Sequence, residues 1–189
     1  MSKFSLLTSI IVLGLFFTSC SKDAEQSNSN QEANEILSTN EYVLTELDKT
    51  QYVLTKESNG FEIKNAKNKI LILDIFATWC PPCRAEASHL SSLQKKYKDS
   101  LVIIGVTVEH NIENKKLIKF RNNNGANYPL VNSSENSRII DAVAAELNLG
   151  NDFGIPLMAM YKNGKLVNFY QGATEEEFIE SDIKKALGI

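Results

Sequence analysis

At 189 residues the chain holds one domain plus extensions. Its 20 basic and 23 acidic residues leave a formal charge of −3, which excludes the basic footprint of a nucleic-acid binder. The hydrophobic fraction of 43% is ordinary for a globular chain, and no internal repeat is present.

Residues 1–20 carry the marks of an export signal. Lys3 gives a positive start, and Leu6 to Phe17 is an apolar run too short to span a bilayer comfortably. The segment Phe17-Thr18-Ser19-Cys20 resembles a bacterial lipobox, whose cysteine is lipidated and becomes the new N-terminus. Phe17 departs from that pattern, where leucine is usual. The alternative is an uncleaved anchor with an incidental Cys20; both readings place the domain outside the cytoplasm. Residues 21–40 are rich in Ser, Asn, Gln and Glu and bury too little apolar surface to order themselves. They read as a tether with a root-mean-square reach of roughly 25 Å.

Residues 41–189 read as one domain. Tyr42 to Leu47 and Gln51 to Thr55 alternate, which predicts a hairpin around Asp48 and Lys49. Ile70 to Phe76 is an apolar run broken only by Asp74, the pattern of a buried central strand. Arg84 to Lys98 has helical spacing, with Ala87, Leu90, Leu93 and Tyr97 on one side. A second buried strand follows over Leu101 to Val108, then a helix over Asn114 to Asn123 that stops at Asn124-Gly125. Tyr128 to Val131 reads as a short strand and Ser134 to Leu147 as a helix. Leu157 to Lys162 and Lys165 to Tyr170 flank Asn163-Gly164, a type I′ hairpin signal. Thr174 to Leu187 reads as a final helix opened by a Thr174–Glu177 capping box. This order implies an α/β fold with a central mixed sheet flanked by helices on both faces.

The chemistry concentrates in Trp79-Cys80-Pro81-Pro82-Cys83. With Cys80 as N-cap, Pro81 and Pro82 fall in the first helical turn, where a missing N–H costs nothing. Cys80 and Cys83 then lie on neighbouring positions with their sulfurs within disulfide reach. The helix N-terminus favours a thiolate at Cys80, and a thiolate is the nucleophile of thiol–disulfide exchange. Cys80 is therefore expected to attack and Cys83 to resolve. A zinc site needs two more ligands, and His89 and His110 have no close ligand spacing, so no metal is expected. A structural disulfide across two residues closes a loop too small to stabilise much. Asp74 shares a strand face with Ile72 and Phe76, where burial raises a carboxyl pKa. It either exchanges a proton with Cys83 or is satisfied by local hydrogen bonds. Pro156 is either a strand-start proline or a cis-proline facing the cysteines.

The run Phe76-Ala77-Thr78-Trp79-Cys80-Pro81-Pro82-Cys83-Arg84-Ala85-Glu86 resembles the active-site segment of the thioredoxin superfamily, most closely its extracytoplasmic TlpA/ResA/CcmG branch. The resemblance runs from about Tyr42 to the C-terminus. It includes Gly154-Ile155-Pro156, the Asn163-Gly164 hairpin and Gly172. It implies a thioredoxin-like fold with an N-terminal β-hairpin and a helix–strand insertion from about Ile112 to Leu149. By position, Cys80 matches the family's exposed nucleophile, Cys83 its buried partner, Pro156 its cis-proline and Glu86 a glutamate that tunes the site. Asp74 falls at the buried acid of thioredoxins, where the tethered branch often has Asn. Leu157 departs from the usual polar residue after the cis-proline, and Gly105 occupies the place of the lysine that partners the acid. The resemblance implies a periplasmic protein disulfide reductase, which the Cys20 lipobox would anchor by lipid; no haem motif or Rossmann glycine pattern occurs, so no cofactor is expected, and the protein is expected to be a monomer. Its partners are disulfide-containing proteins, apocytochrome c among them, and a transmembrane thiol electron donor. An oxidase or isomerase, or a redox-inert binding or chaperone module, is the alternative.

Overall fold

The computed structural model describes residues 40–150 and 152–189. The expected export signal, Cys20 and residues 21–39 of the tether lie outside these residues. Strands β1 (Glu41–Thr45) and β2 (Gln51–Glu57) pair antiparallel with Val43 opposite Val53. Their turn is held by the Thr50 N–H, which donates to Asp48 Oδ1 at 2.8 Å, the self-bonding that suits Asp to turns. This is the expected hairpin, and it continues into a third antiparallel strand, β3 (Gly60–Ile63). Four residues carry too little alternation to announce a strand in sequence.

The main sheet has five strands in the order β6-β5-β4-β7-β8. They are β4 (Ile70–Phe76), β5 (Leu101–Thr107), β6 (Leu130–Val131), β7 (Leu157–Lys162) and β8 (Lys165–Gln171). Strand β4 runs parallel to β5 and antiparallel to β7. Every β4 residue is buried, which is why its sequence shows no polar alternation. Asn163 and Gly164, with φ of 51° and 68°, turn β7 into β8 as a type I′ turn demands.

Among the described residues four helices accompany the sheets: α1 (Pro81–Lys96), α2 (Asn114–Asn124), α3 (Asn136–Glu146) and α4 (Glu176–Leu187). On one face of the sheet, Ile70, Ile72 and Phe76 pack with Leu90 and Leu93 of α1, Leu117 and Phe120 of α2, and Ile179 and Ile183 of α4. On the other, Leu71, Leu73 and Ile75 pack with Leu44, Leu54 and Phe61 of the small sheet and with Ile139 and Val143 of α3. Each such side chain contributes about 1.5–3 kcal/mol on burial. The small sheet thus covers the part of that face that α3 leaves open.

The start of α1 agrees with the sequence reading, and the starts of α3 and α4 differ from it. Helix α1 starts at Pro81 with Cys80 as its N-cap, as the reading of the cysteine motif placed it, because both prolines are accepted at its first two positions. Helix α3 starts at Asn136 rather than Ser134. The Asn136 side chain accepts from the Ser133 N–H and donates to Thr107 O and Val131 O, which fixes the entry. The Thr174–Glu177 capping box does not form. Helix α4 is capped at Glu175 without a side-chain bond, and the Thr174 N–H donates elsewhere, to Glu86. Among the described residues no helix is long and apolar enough to cross a membrane.

Candidate active site

The site lies where β4 ends and α1 begins. The chain leaves Phe76 through Ala77, whose carbonyl accepts from the Cys80 N–H at 3.2 Å. Thr78 is clamped by Glu109: its N–H donates to Oε2 at 2.6 Å and its hydroxyl to Oε1 at 3.1 Å. Trp79, held between these two anchored residues, is 63% exposed. Cys80 is the N-cap of α1, with φ −75° and ψ 116°. Its Sγ accepts from the Cys83 N–H at 3.3 Å, so a helix-terminal donor left over by the fold points at this sulfur. Cys80 and Cys83 are joined by a disulfide, with their Cα atoms 5.3 Å apart.

As whole residues the two cysteines do not differ as an exposed and a buried one. Cys80 is 3% exposed and Cys83 is 4% exposed, which corrects the asymmetry that the resemblance implied. What separates them is position: Cys80 is at the helix mouth and Cys83 inside the first turn. The Cys80 sulfur also lies 3.8 Å from the carbonyl oxygen of Ile155. The Ile155–Pro156 peptide is cis, and the Pro156 carbonyl accepts from the Gly172 N–H at 2.8 Å. Leu157 is fully buried in the cluster with Leu71 and Leu73. Its side chain serves the core, which accounts for an apolar residue at that place.

Two carboxyl groups are buried behind the disulfide's helix and strand. Asp74 is 3% exposed in β4, and burial pushes its pKa up to about 7. Its Oδ2 accepts from the Tyr128 hydroxyl at 2.9 Å, which partly offsets that rise. Gly105 is the β5 neighbour of Asp74. A Cβ there would come within 2.7 Å of Leu130 and 3.1 Å of the Tyr128 ring. The glycine thus leaves the room through which a tyrosine, rather than a lysine, reaches the acid. Glu86, three residues after Cys83 on the same side of α1, is also 3% exposed. Burial first and the charge of Asp74 second push its pKa up to about 8, while the Thr174 N–H, 3.1 Å from Oε1, pulls it back. Glu86 Oε2 has no hydrogen-bond partner among the described residues. An ordinary solvated helix residue is therefore excluded at this position.

The expected residues Asp74, Trp79, Cys80, Pro81, Pro82, Cys83, Glu86 and Pro156 are thus gathered around one strand–helix junction. Tyr128, Thr174 and Glu109 join them and were not singled out in the sequence. The available signal was the pairing of a buried acid with a glycine where a cation is usual, which calls for a donor from elsewhere. A groove beside Trp79 is lined by Val108, Ile140, Phe153 and Ile155, with His110 and Asp141 at its edge, and encloses about 340 Å³. Among the described residues no three His, Cys, Asp or Glu side chains converge as a metal site.

Comparison with known proteins places this geometry. The model of the AhpC/TSA family matches residues 46–173. The thiol-disulfide oxidoreductase ResA of Halalkalibacterium halodurans is 26% identical over 128 residues, 66% of either chain. The thioredoxin-like protein YneN of Bacillus subtilis is 43% identical over 44 residues, 23% of this chain and 26% of that one. The chain therefore matches less than two thirds of the length of these curated relatives. Among solved structures, a thiol:disulfide interchange protein of the thioredoxin family from Chlorobium tepidum superposes with a TM-score of 0.63 at 22% identity. The match covers 78% of this chain and 94% of that one. The fold is thioredoxin-like, as the Trp79–Cys83 resemblance implied.

Proposed function

The chain belongs to the AhpC/TSA family, and from that membership we propose that it is a thiol–disulfide oxidoreductase reducing disulfides in other proteins through Cys80 and Cys83. The observation that carries this reading is the redox pair itself: two cysteines joined across the first turn of a helix, with Cys80 Sγ receiving the Cys83 N–H. The similarity to ResA supports the same chemistry. In the forward reaction the Cys80 thiolate attacks one sulfur of a substrate disulfide. That S–S bond breaks, and the departing thiolate takes up a proton. Cys83 then loses its proton and attacks Cys80, which releases the second substrate thiol and leaves the Cys80–Cys83 disulfide. Two electrons and two protons pass to the substrate. Asp74 and Glu86, both held with raised pKa, are the groups that take the Cys83 proton.

The setting belongs to the same proposal. Residues 1–20 act as an export signal with Cys20 as the lipidated residue, residues 21–40 as a tether, and residues 41–189 as the catalytic domain. The protein then works on the periplasmic side of a membrane, on disulfide-bearing partners such as apocytochrome c, and is re-reduced by a membrane thiol donor. Mass spectrometry of the membrane fraction tests the anchor, and an unmodified Cys20 defeats it.

Two measurements test the chemistry. Cys80→Ser abolishes turnover in an insulin-reduction assay, whereas Cys83→Ser accumulates a mixed disulfide on Cys80; equal activity of Cys80→Ser and wild type refutes the assignment. Redox titration of the pair fixes the direction. A potential toward the thioredoxin end, about −270 mV, supports a reductase, and one near −120 mV overturns it in favour of an oxidase.

A further inference from the structure

Two grooves flank Trp79, and they differ in charge. The second is lined by Thr78, Trp79, Arg84, Lys116, Lys119 and Phe120, and it also encloses about 340 Å³. Among the described residues no carboxylate lines it. Arg84, Lys116 and Lys119 are exposed, and none has a carboxylate partner among the described residues. Their neighbours on α2 do: Lys115 pairs with Glu113 at 2.5 Å and Arg121 with Glu46 at 2.9 Å. Glu109, the acid nearest Thr78 in the fold, is occupied by the Thr78 N–H and hydroxyl and lines a separate cleft with Thr107 and Asn132.

The placement of these cations is unfavourable for the helices that carry them. Arg84 and Lys116 lie in the first turns of α1 and α2, where positive charge opposes the helix dipole. The first turn of α1 holds no acidic residue, and α2 has only the N-cap Glu113, which is paired with Lys115. A chain with net charge −3 therefore concentrates unpaired positive charge beside its candidate nucleophile, against the preference of its own helices.

We infer that this groove receives an acidic segment of the partner protein, adjacent in sequence to the cysteine that joins Cys80 in the mixed disulfide. The inference rests on the reading of Cys80 as the attacking residue. The Arg84 guanidinium offers a carboxylate two parallel N–H donors, and the two lysines add point charges that orient the encounter. Trp79, projecting between the two grooves, separates the acidic side of the partner from its apolar side.

The test uses the reduced protein and three disulfides. Two are synthetic peptides with the same internal disulfide, flanked by glutamates in one and by lysines in the other; the third is uncharged hydroxyethyl disulfide. Wild type reduces the acidic peptide about tenfold faster than the basic one at low salt. That preference disappears near 1 M salt, where the Debye length is roughly 3 Å. K116Q/K119Q loses the preference and K116E/K119E inverts it, while both reduce hydroxyethyl disulfide at the wild-type rate. Equal rates with the two peptides, or a preference that survives K116E/K119E, overturn the inference and leave the oxidoreductase reading standing. Failure with all three disulfides overturns that reading, and the inference with it.

Discussion

Asp74 and Glu86 are buried close enough for the charge of one to be felt by the other, and both have pKa values raised toward neutrality. A carboxyl group whose folded pKa lies above its unfolded value holds its proton longer when folded. The folded state therefore binds more protons between the two values, and stability falls as pH rises through that window. For Asp74 the window runs from 3.8 to about 7, and for Glu86 from 4.5 to about 8. Urea unfolding of the oxidised protein should show stability declining from pH 4 to pH 8. Asp74→Asn should flatten that decline and stabilise the protein at pH 8 by on the order of 3 kcal/mol; an unchanged profile refutes the raised value. In catalysis the sign reverses, because a base must be ionised to accept the Cys83 proton. Substrate reduction should rise with pH through about 7 to 8, and D74N/E86Q should remove that rise. Asp74 was legible in the sequence because a single acid interrupts an apolar strand. Tyr128 was not, since its 2.9 Å bond to Asp74 spans 54 residues of chain and no local pattern reports it.

At the scale of elements, the strands and helices with strong periodicity emerged from the sequence nearly complete, Ile70–Phe76 to the residue. The failures occurred where tertiary bonds outcompeted local ones. The Thr174 N–H had a capping partner available within its own helix and was taken instead by Glu86, 88 residues earlier. Helices α1 and α2 meet through a similar long-range contact: the Ser91 hydroxyl, with its single proton, has Ala87 O and Gly125 O as acceptors within reach and accepts from the Asn127 N–H. Ser91→Ala should cost about 0.5–1.5 kcal/mol in urea unfolding, because it removes the side-chain link to Gly125 O and the Asn127 N–H without disturbing the apolar packing; an unchanged midpoint would refute that link. Gly105 is a β5 position at which even a methyl group meets Leu130, Tyr128 and Phe76 within 3.2 Å. Gly105→Ala should destabilise by about 1–3 kcal/mol and displace the Tyr128 ring from Asp74. A crystal structure of that variant with the 2.9 Å bond intact would show that β5 yields instead.

Across the whole molecule, the five-stranded sheet carries the redox pair at one end and keeps both faces covered. The face behind Leu71, Leu73 and Ile75 depends on the small sheet for much of that cover. Deleting residues 40–63 should therefore abolish cooperative unfolding, since several side chains worth about 1.5–3 kcal/mol each exceed the margin of a typical domain. Circular dichroism of the shortened chain checks this, and a sharp thermal transition in it refutes the role. The general architecture was legible because alternating strand and helix patterns admit few arrangements. The layer supplied by β3 was not, because a four-residue strand is too short to be periodic. Trp79 adds a property of another kind. It is the only tryptophan of the chain, and it is bonded to the residue that changes oxidation state. A neighbouring disulfide quenches indole emission, so the protein carries its own optical gauge. Its fluorescence should brighten as the Cys80–Cys83 bond is reduced, which makes electron transfer visible in real time without any added label.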